Sequence, residues 1–151
     1  MKPRRIIIHC SDTLNGLTVP AETIKGWHLK RGFTDIGYHE VIQPLGDLEY
    51  GRPTNVVGAH CEGENHDSLA ICMIGKNAFT RKAWDQLRRR LDALLMVHSI
   101  EPWRIYTHAQ FPSAIKQGKT CPNMSVNELL GWYILNDESV IKRYIYDGVI
   151  S

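Results

Sequence analysis

The residues of this chain that could do chemistry together are two histidines and a cysteine set far apart. His9 ends the run Arg5-Ile6-Ile7-Ile8, His108 ends Arg104-Ile105-Tyr106-Thr107, and Cys121 opens Cys121-Pro122. A catalytic zinc centre takes three protein ligands of the imidazole, thiolate or carboxylate type and leaves the fourth tetrahedral position to water or substrate. Scattered ligands at strand ends suit such a centre, because they converge only on folding and leave one side open. Structural zinc sites read instead as close C-x-x-C pairs, and none occurs here. Two neutral imidazoles and one thiolate would leave net positive charge on the metal, which lowers the pKa of a bound water.

The elements that must carry these residues follow from patterning. Arg5 to His9 reads as a short buried strand, β-branched and continuously apolar. Ser11 to Val19 is a polar loop with Asn15-Gly16, and Pro20 suits the first turn of a helix. Ile24, Trp27 and His28 then recur at helical spacing, with Gly32 as a stop. Tyr38 to Gln43 predicts a strand, turning at Leu45-Gly46-Asp47 into a partner strand near Leu48 to Gly51. Val56 to Ala59 reads as a further extended piece, His60 to Ser68 as a loop, and Leu69 to Ile74 as a buried strand. The clearest helix runs from Arg81 to His98 with Thr80 as its cap; Trp84, Leu87, Leu91, Leu94, Leu95 and His98 make one stripe. Arg104 to His108 is another strand, and Ser125-Val126-Asn127-Glu128 is a capping box opening a last helix. Strands and helices alternate except for one hairpin. The expected fold is therefore mixed α/β: a single domain over residues 1–151, with a central mixed β-sheet flanked by helices. Residues 135–151 receive no role.

Strand alternation also sorts the cysteines. His9 and Cys10 are neighbours on a strand and point to opposite faces, so Cys10 is not expected beside the metal. Cys72 reads as a small core residue, and Cys61 is given a structural role.

The segments GYHEVI (37–42), VGAHCEGENHDSLAICMIG (57–75) and GKTCP (118–122), in that order, resemble the zinc-dependent N-acetylmuramoyl-L-alanine amidases of the type-2 family. That family includes T-odd phage lysozymes, cytoplasmic recycling amidases and peptidoglycan recognition proteins, and the resemblance spans about 9–122. It implies one zinc ion per chain, held by His9, His108 and Cys121. It implies attack of a zinc-polarised water on the amide joining the lactyl group of muramic acid to the first alanine of the stem peptide. Tyr38 and Lys119 match the two supporting catalytic positions, whereas Lys116 lacks the family spacing to the cysteine. The resemblance also places the 57–68 segment beside the substrate groove, which makes His60 and Asn65 weaker candidates for substrate contact. One departure is Gln110, where many relatives carry an acid that could orient an imidazole.

Composition sets the remaining bounds. The chain has 151 residues and a formal net charge of +2, a mild bias compatible with an anionic cell wall but not a nucleic-acid signature. No run reaches membrane-spanning length, and the charged start Met1-Lys2-Pro3-Arg4-Arg5 is not followed by a signal-peptide core. The expected location is the cytoplasm, that of the host before release if the protein is an endolysin, and the expected partner is peptidoglycan or a muropeptide. RNA polymerase binding, a property of T-odd phage lysozymes, is not transferred, because it depends on surfaces outside the matched motifs. A phage or prophage endolysin is the leading reading. A recycling amidase and a non-catalytic peptidoglycan-binding module are the alternatives.

Overall fold

The computed structural model describes residues 1–151. Five strands, β1 (Arg5–Cys10), β2 (Glu40–Ile42), β3 (Leu48–Tyr50), β4 (Ser68–Met73) and β5 (Ile105–Thr107), form one sheet in the order β3-β2-β4-β1-β5. β1 runs parallel to β4 and β5, and β2 parallel to β4; the β2–β3 hairpin supplies the antiparallel pairing. The sheet is therefore mixed, as expected. β1 and β4 are buried along their whole length, which is why both read as near-continuous apolar runs rather than alternating ones.

Alternation divides the core into layers. Ile6, Ile8 and Cys10 of β1 and Leu69, Ile71 and Met73 of β4 pack with α2 (Arg81–His98) and α4 (Val126–Ile134). Val41 and Cys72 point the other way and pack with Ala21 and Ile24 of α1 (Ala21–Lys30). His9 shares that second direction. Tyr38 packs against the same α1-side cluster, whereas Cys121 borders the larger one.

α2 begins where its cap places it: Thr80 Oγ1 accepts the Ala83 N–H at 3.0 Å while its own hydroxyl donates to Pro44 O. The helix is locked to β2 by a two-pronged ion pair, Arg90 Nε to Glu40 Oε1 at 2.8 Å and Arg90 Nη2 to Glu40 Oε2 at 2.7 Å. α1 has no side-chain cap of its own. Instead the hairpin holds its start: Glu49 Oε2 accepts the Ala21 N–H at 3.2 Å, and the Gln43 amide pairs with both backbone groups of Val19. Those contacts satisfy orphan donors at the helix entrance and fix α1 relative to the sheet.

Two segments differ from expectation. Val56 to Ala59 is not a strand. Its carbonyls are taken by side chains instead, Val56 O by His39 Nε2 at 2.8 Å and Val57 O by Arg52 Nη1 at 2.8 Å. A short helix, α3 (Pro112–Lys116), stands where the sequence shows no periodic pattern, with Pro112 in its first turn. After α4, a 3-10 helix (Glu138–Tyr144) brings Ile141 and Tyr144 into the main core. No helix is long and apolar enough to cross a membrane.

Candidate active site

Parallel neighbours deliver the two histidines to one end of the sheet. His9 is the penultimate residue of β1, and His108 opens a 3-10 turn (His108–Gln110) directly after β5. Cys121 is returned to the same place by backbone contacts, since Ala109 N donates to Cys121 O at 2.9 Å. Cys121 Sγ then lies 3.5 Å from His108 Nδ1 and 3.9 Å from His9 Nδ1. The three ligand atoms all fall within 4.8 Å of one another, the only such cluster of three or more. Around a tetrahedral zinc with its usual bond lengths, neighbouring nitrogen and sulfur ligands stand about 3.3–3.6 Å apart. The donor types suit that ion; the Cys121–His108 separation of 3.5 Å falls in this range and the Cys121–His9 separation of 3.9 Å just outside it.

The hydrogen bonds assign the histidine tautomers. His9 Nε2 meets His60 Nδ1 at 2.9 Å, and His60 Nε2 meets Ser68 Oγ at 3.2 Å, whose hydroxyl donates to Glu64 O at 2.6 Å. With the last donor fixed by a carbonyl, the protons lie on His60 Nε2 and His9 Nε2, leaving the His9 Nδ1 lone pair facing Cys121. Burial, then His60 and His108, push the His9 imidazole well below its ordinary range. Burial and His39 lower His60 to about 3. Both rings are neutral at neutral pH, the state in which an imidazole can ligate a metal. The loop presenting His60 is itself pinned, with Arg5 bonding Asp67 at 2.7 Å and Glu64 at 2.6 Å.

Tyr38, Lys119, His60, Asn65, His108 and Cys121 line a cleft of about 760 Å³. Tyr38 enters it because Gly37 lets two backbones meet: a Cβ at Gly37 would lie 2.0 Å from Ala59 O. Burial, then the thiols of Cys72, Cys121 and Cys10, push the Tyr38 phenol well above the usual tyrosine range. It therefore stays protonated, with a hydroxyl proton to donate. Lys119 is exposed at the rim, its backbone N–H bonded to Ala114 O at 2.8 Å, while Lys116 does not line the cleft.

Other residues are placed less directly. Asn65 lines the cleft, but its Oδ1 accepts the backbone N–H groups of His60 and Cys61, at 2.9 and 3.0 Å, so that oxygen shapes the loop. Trp27 faces the cleft and is 43% exposed rather than part of the core. Gln110 orients no imidazole: its Oε1 accepts the Thr107 N–H at 2.9 Å and closes the turn carrying His108. Cys10 packs with Ile6 and Ile8 in the main core, but contrary to the expectation from strand alternation it also lines the cleft beside Cys121, because it is the last residue of β1; its backbone N–H donates to Cys121 Sγ at 3.3 Å. Sequence reasoning overlooked His28, which is buried in the cleft wall, accepts the Gly37 N–H at 2.8 Å and packs edge-on against Tyr38. Its spacing of four from Ile24, on the buried side of α1, was the available signal.

Comparison with known proteins agrees with this geometry. A profile of the N-acetylmuramoyl-L-alanine amidase family matches residues 1–124. The endolysin of Escherichia phage T7 is 40% identical over 140 residues, covering 87% of this chain and 86% of that protein. The endolysin of Enterobacteria phage T3 is 40% identical over 148 residues, covering 90% and 91%. Among solved structures, the N-acetylmuramoyl-L-alanine amidase LysC from Clostridium intestinale URNW superposes with a TM-score of 0.75 at 26% identity, covering 91% of this chain and 87% of that one. With a mixed sheet of this topology, a cleft at the strand ends and these relatives, the chain belongs to the N-acetylmuramoyl-L-alanine amidase family.

Proposed function

We propose that this amidase acts as a zinc-dependent endolysin, with His9, His108 and Cys121 holding one zinc ion and Tyr38 and Lys119 assisting the cleavage. The substrate is peptidoglycan, cut at the amide between the muramic acid lactyl group and L-alanine. The observation that carries the reading is the approach of two imidazole Nδ1 atoms and one thiol to within 4.8 Å at the wall of the cleft. Bound there, zinc would supply Lewis acidity toward a water or a carbonyl oxygen. The protein's own groups do the rest. The His60–Ser68 relay holds the His9 ring in its ligating orientation. The protonated Tyr38 phenol offers a hydrogen bond to an oxygen that gains negative charge during attack on the amide. The Lys119 ammonium, free to swing over the rim, places positive charge near the same oxygen or a proton near the departing amine.

The experiment is mass spectrometry of products released from purified sacculi, with chelator-treated protein as the control. Zinc-restored release of stem peptides with a free alanine amine, leaving glycan intact, is the expected result. Activity confined to soluble anhydro-muropeptides would make the protein a recycling enzyme. Tight muropeptide binding without release would make it a recognition module.

A further inference from the structure

The family profile ends at residue 124, yet later residues reach back to a loop whose first residues, Ser11 and Asp12, line the cleft. Phe79 N donates to Tyr144 O at 2.8 Å and Tyr146 N to Phe79 O at 2.8 Å, forming a bridge between Phe79 and Ile145. Farther on, Ser151 N donates to Gly16 O at 2.9 Å, and Thr18 N to Ser151 O at 2.7 Å. Between these two attachments the Tyr146 ring lies directly against the Gly16 backbone. A Cβ at Gly16 would sit 2.3 Å from Tyr146 Cε1, and Gly16 has a φ of +78°, so only glycine fits both the turn and the contact. The Tyr146 hydroxyl donates to Val149 O at 2.8 Å, curling the segment around its own ring.

The loop gripped in this way leads on to the site. Asn15, next to Gly16, accepts the N–H groups of Lys76 and Asn77 on its Oδ1, at 2.9 and 3.3 Å, and donates from Nδ2 to Asn77 Oδ1 at 2.9 Å. Lys76 O accepts Asn123 Nδ2 at 2.7 Å, and Asn123 N donates to Thr120 O at 2.7 Å, closing the turn that contains Cys121. Every link from Tyr146 through Gly16, Asn15, Lys76, Asn123 and Thr120 to Cys121 is a covalent neighbour, a hydrogen bond or a close contact. Asn123 on this route lines the cleft, as do Ser11 and Asp12 of the gripped loop and Lys119 beside the Cys121 turn.

We propose that the segment Tyr144–Ser151 is a strap, with Tyr146 as its positioning residue, that holds the cysteine side of the active site in register through the loops at Ser11–Val19 and Lys76–Ala78. Loops joined by a few hydrogen bonds open independently of the sheet they border, so an added clamp acts on them without altering the core. The consequence for metal and turnover rests on the zinc amidase reading above; the mechanical link does not.

The test compares Tyr146→Ala and Tyr146→Phe in the full chain by amide hydrogen exchange, zinc affinity from chelator competition, and kcat and KM on a soluble muropeptide. In Tyr146→Ala, exchange at Thr18, Lys76, Asn77 and Asn123 should rise about tenfold or more while β1 and β4 stay protected. Zinc should be held about tenfold less tightly, the scale for disturbing a ligand's support, and kcat should fall more than KM rises. Tyr146→Phe, which keeps the ring against Gly16, should behave as the parent. Faster exchange confined to Gly16–Thr18, or spread evenly through β1 and β4, overturns the strap. If Tyr146→Ala does not fold, Asn15→Ala cuts the middle link and must speed exchange at Asn123; unchanged exchange there is equally fatal. A parent protein that binds no zinc and releases no peptide removes the zinc amidase reading, while the exchange data still decide on the strap.

Discussion

His60→Ala is the sharpest test of how the site is held. His60 is not among the three metal-facing residues; its role runs through the 2.9 Å contact from His9 Nε2 to its Nδ1 and onward to Ser68. His9 is 1% exposed, so truncating His60 strands an N–H donor away from bulk water. An unsatisfied buried donor costs about 1–3 kcal/mol, equivalent to roughly five- to 150-fold in whatever equilibrium needs that ring in place. Loss of the outer partner of a metal-binding histidine typically costs about 10- to 100-fold in affinity. The two ranges overlap, and the hole left by His60 opens on the cleft, where water can supply a substitute acceptor. The expected loss is therefore near the low end, about tenfold to thirtyfold in zinc affinity. It is measured by competition against a chromophoric chelator, with circular dichroism to confirm the fold. His60→Gln can present an amide oxygen to the same N–H and should recover most of the loss. Zinc binding by His60→Ala within about threefold of the parent, well below that range, would refute the relay.

Further outcomes follow from the same geometry. Cys121→Ala should lose zinc and peptide release together; unchanged metal content removes the thiolate from the ligand set. Lys119→Ala should retain zinc while kcat falls about one hundredfold, the scale of one lost donor to a developing oxyanion; full turnover would leave Lys119 a rim residue only. Arg90→Ala leaves Glu40, with its side chain 2% exposed, as a buried charge without its partner, and should cost about 3 kcal/mol or more in urea unfolding. A shifted midpoint below that scale would mean that water reaches the carboxylate. Stability should also fall in mild acid. The folded-state values of His9 and His60 lie below the ordinary histidine range, His60 at about 3, so the unfolded chain binds more protons. The His60 contribution is complete above about pH 6.5 and is lost as the pH falls toward 3, at up to about 1.4 kcal/mol per pH unit, and that of His9 is lost in the same direction. For His60 alone this is about 2 kcal/mol between pH 6.5 and 5; denaturant curves that coincide at pH 7 and 5 would contradict it.

What could be read in the sequence was whatever neighbours along the chain decide. α2 starts and stops at Arg81 and His98 because its cap residue and its apolar stripe are local signals, and the Ser125 capping box opens α4 for the same reason. β1 and β4 announce themselves as unbroken apolar runs, and one hairpin among alternating elements is enough to require a mixed sheet. Motif order identified the family and nominated His9, His108, Cys121, Tyr38 and Lys119. Spacing along a chain, however, carries no information on which nitrogen of an imidazole faces a thiol. Only the adjacency of β1 and β5 brings the two Nδ1 atoms beside Cys121, and only the packing of the His60 loop gives His9 its partner. Val56 to Ala59 has strand-like residues, but Arg52 and His39 occupy its carbonyls from a distance. Gln110 matched an acidic position in one dimension and caps a turn in three. The residues after α4 carried no motif at all, because contacts such as Tyr146 on Gly16 join positions more than a hundred residues apart. Side-chain pattern specifies the elements; long-range hydrogen bonds and close backbone approaches, which exist only after the sheet has assembled, decide how the elements hold a site.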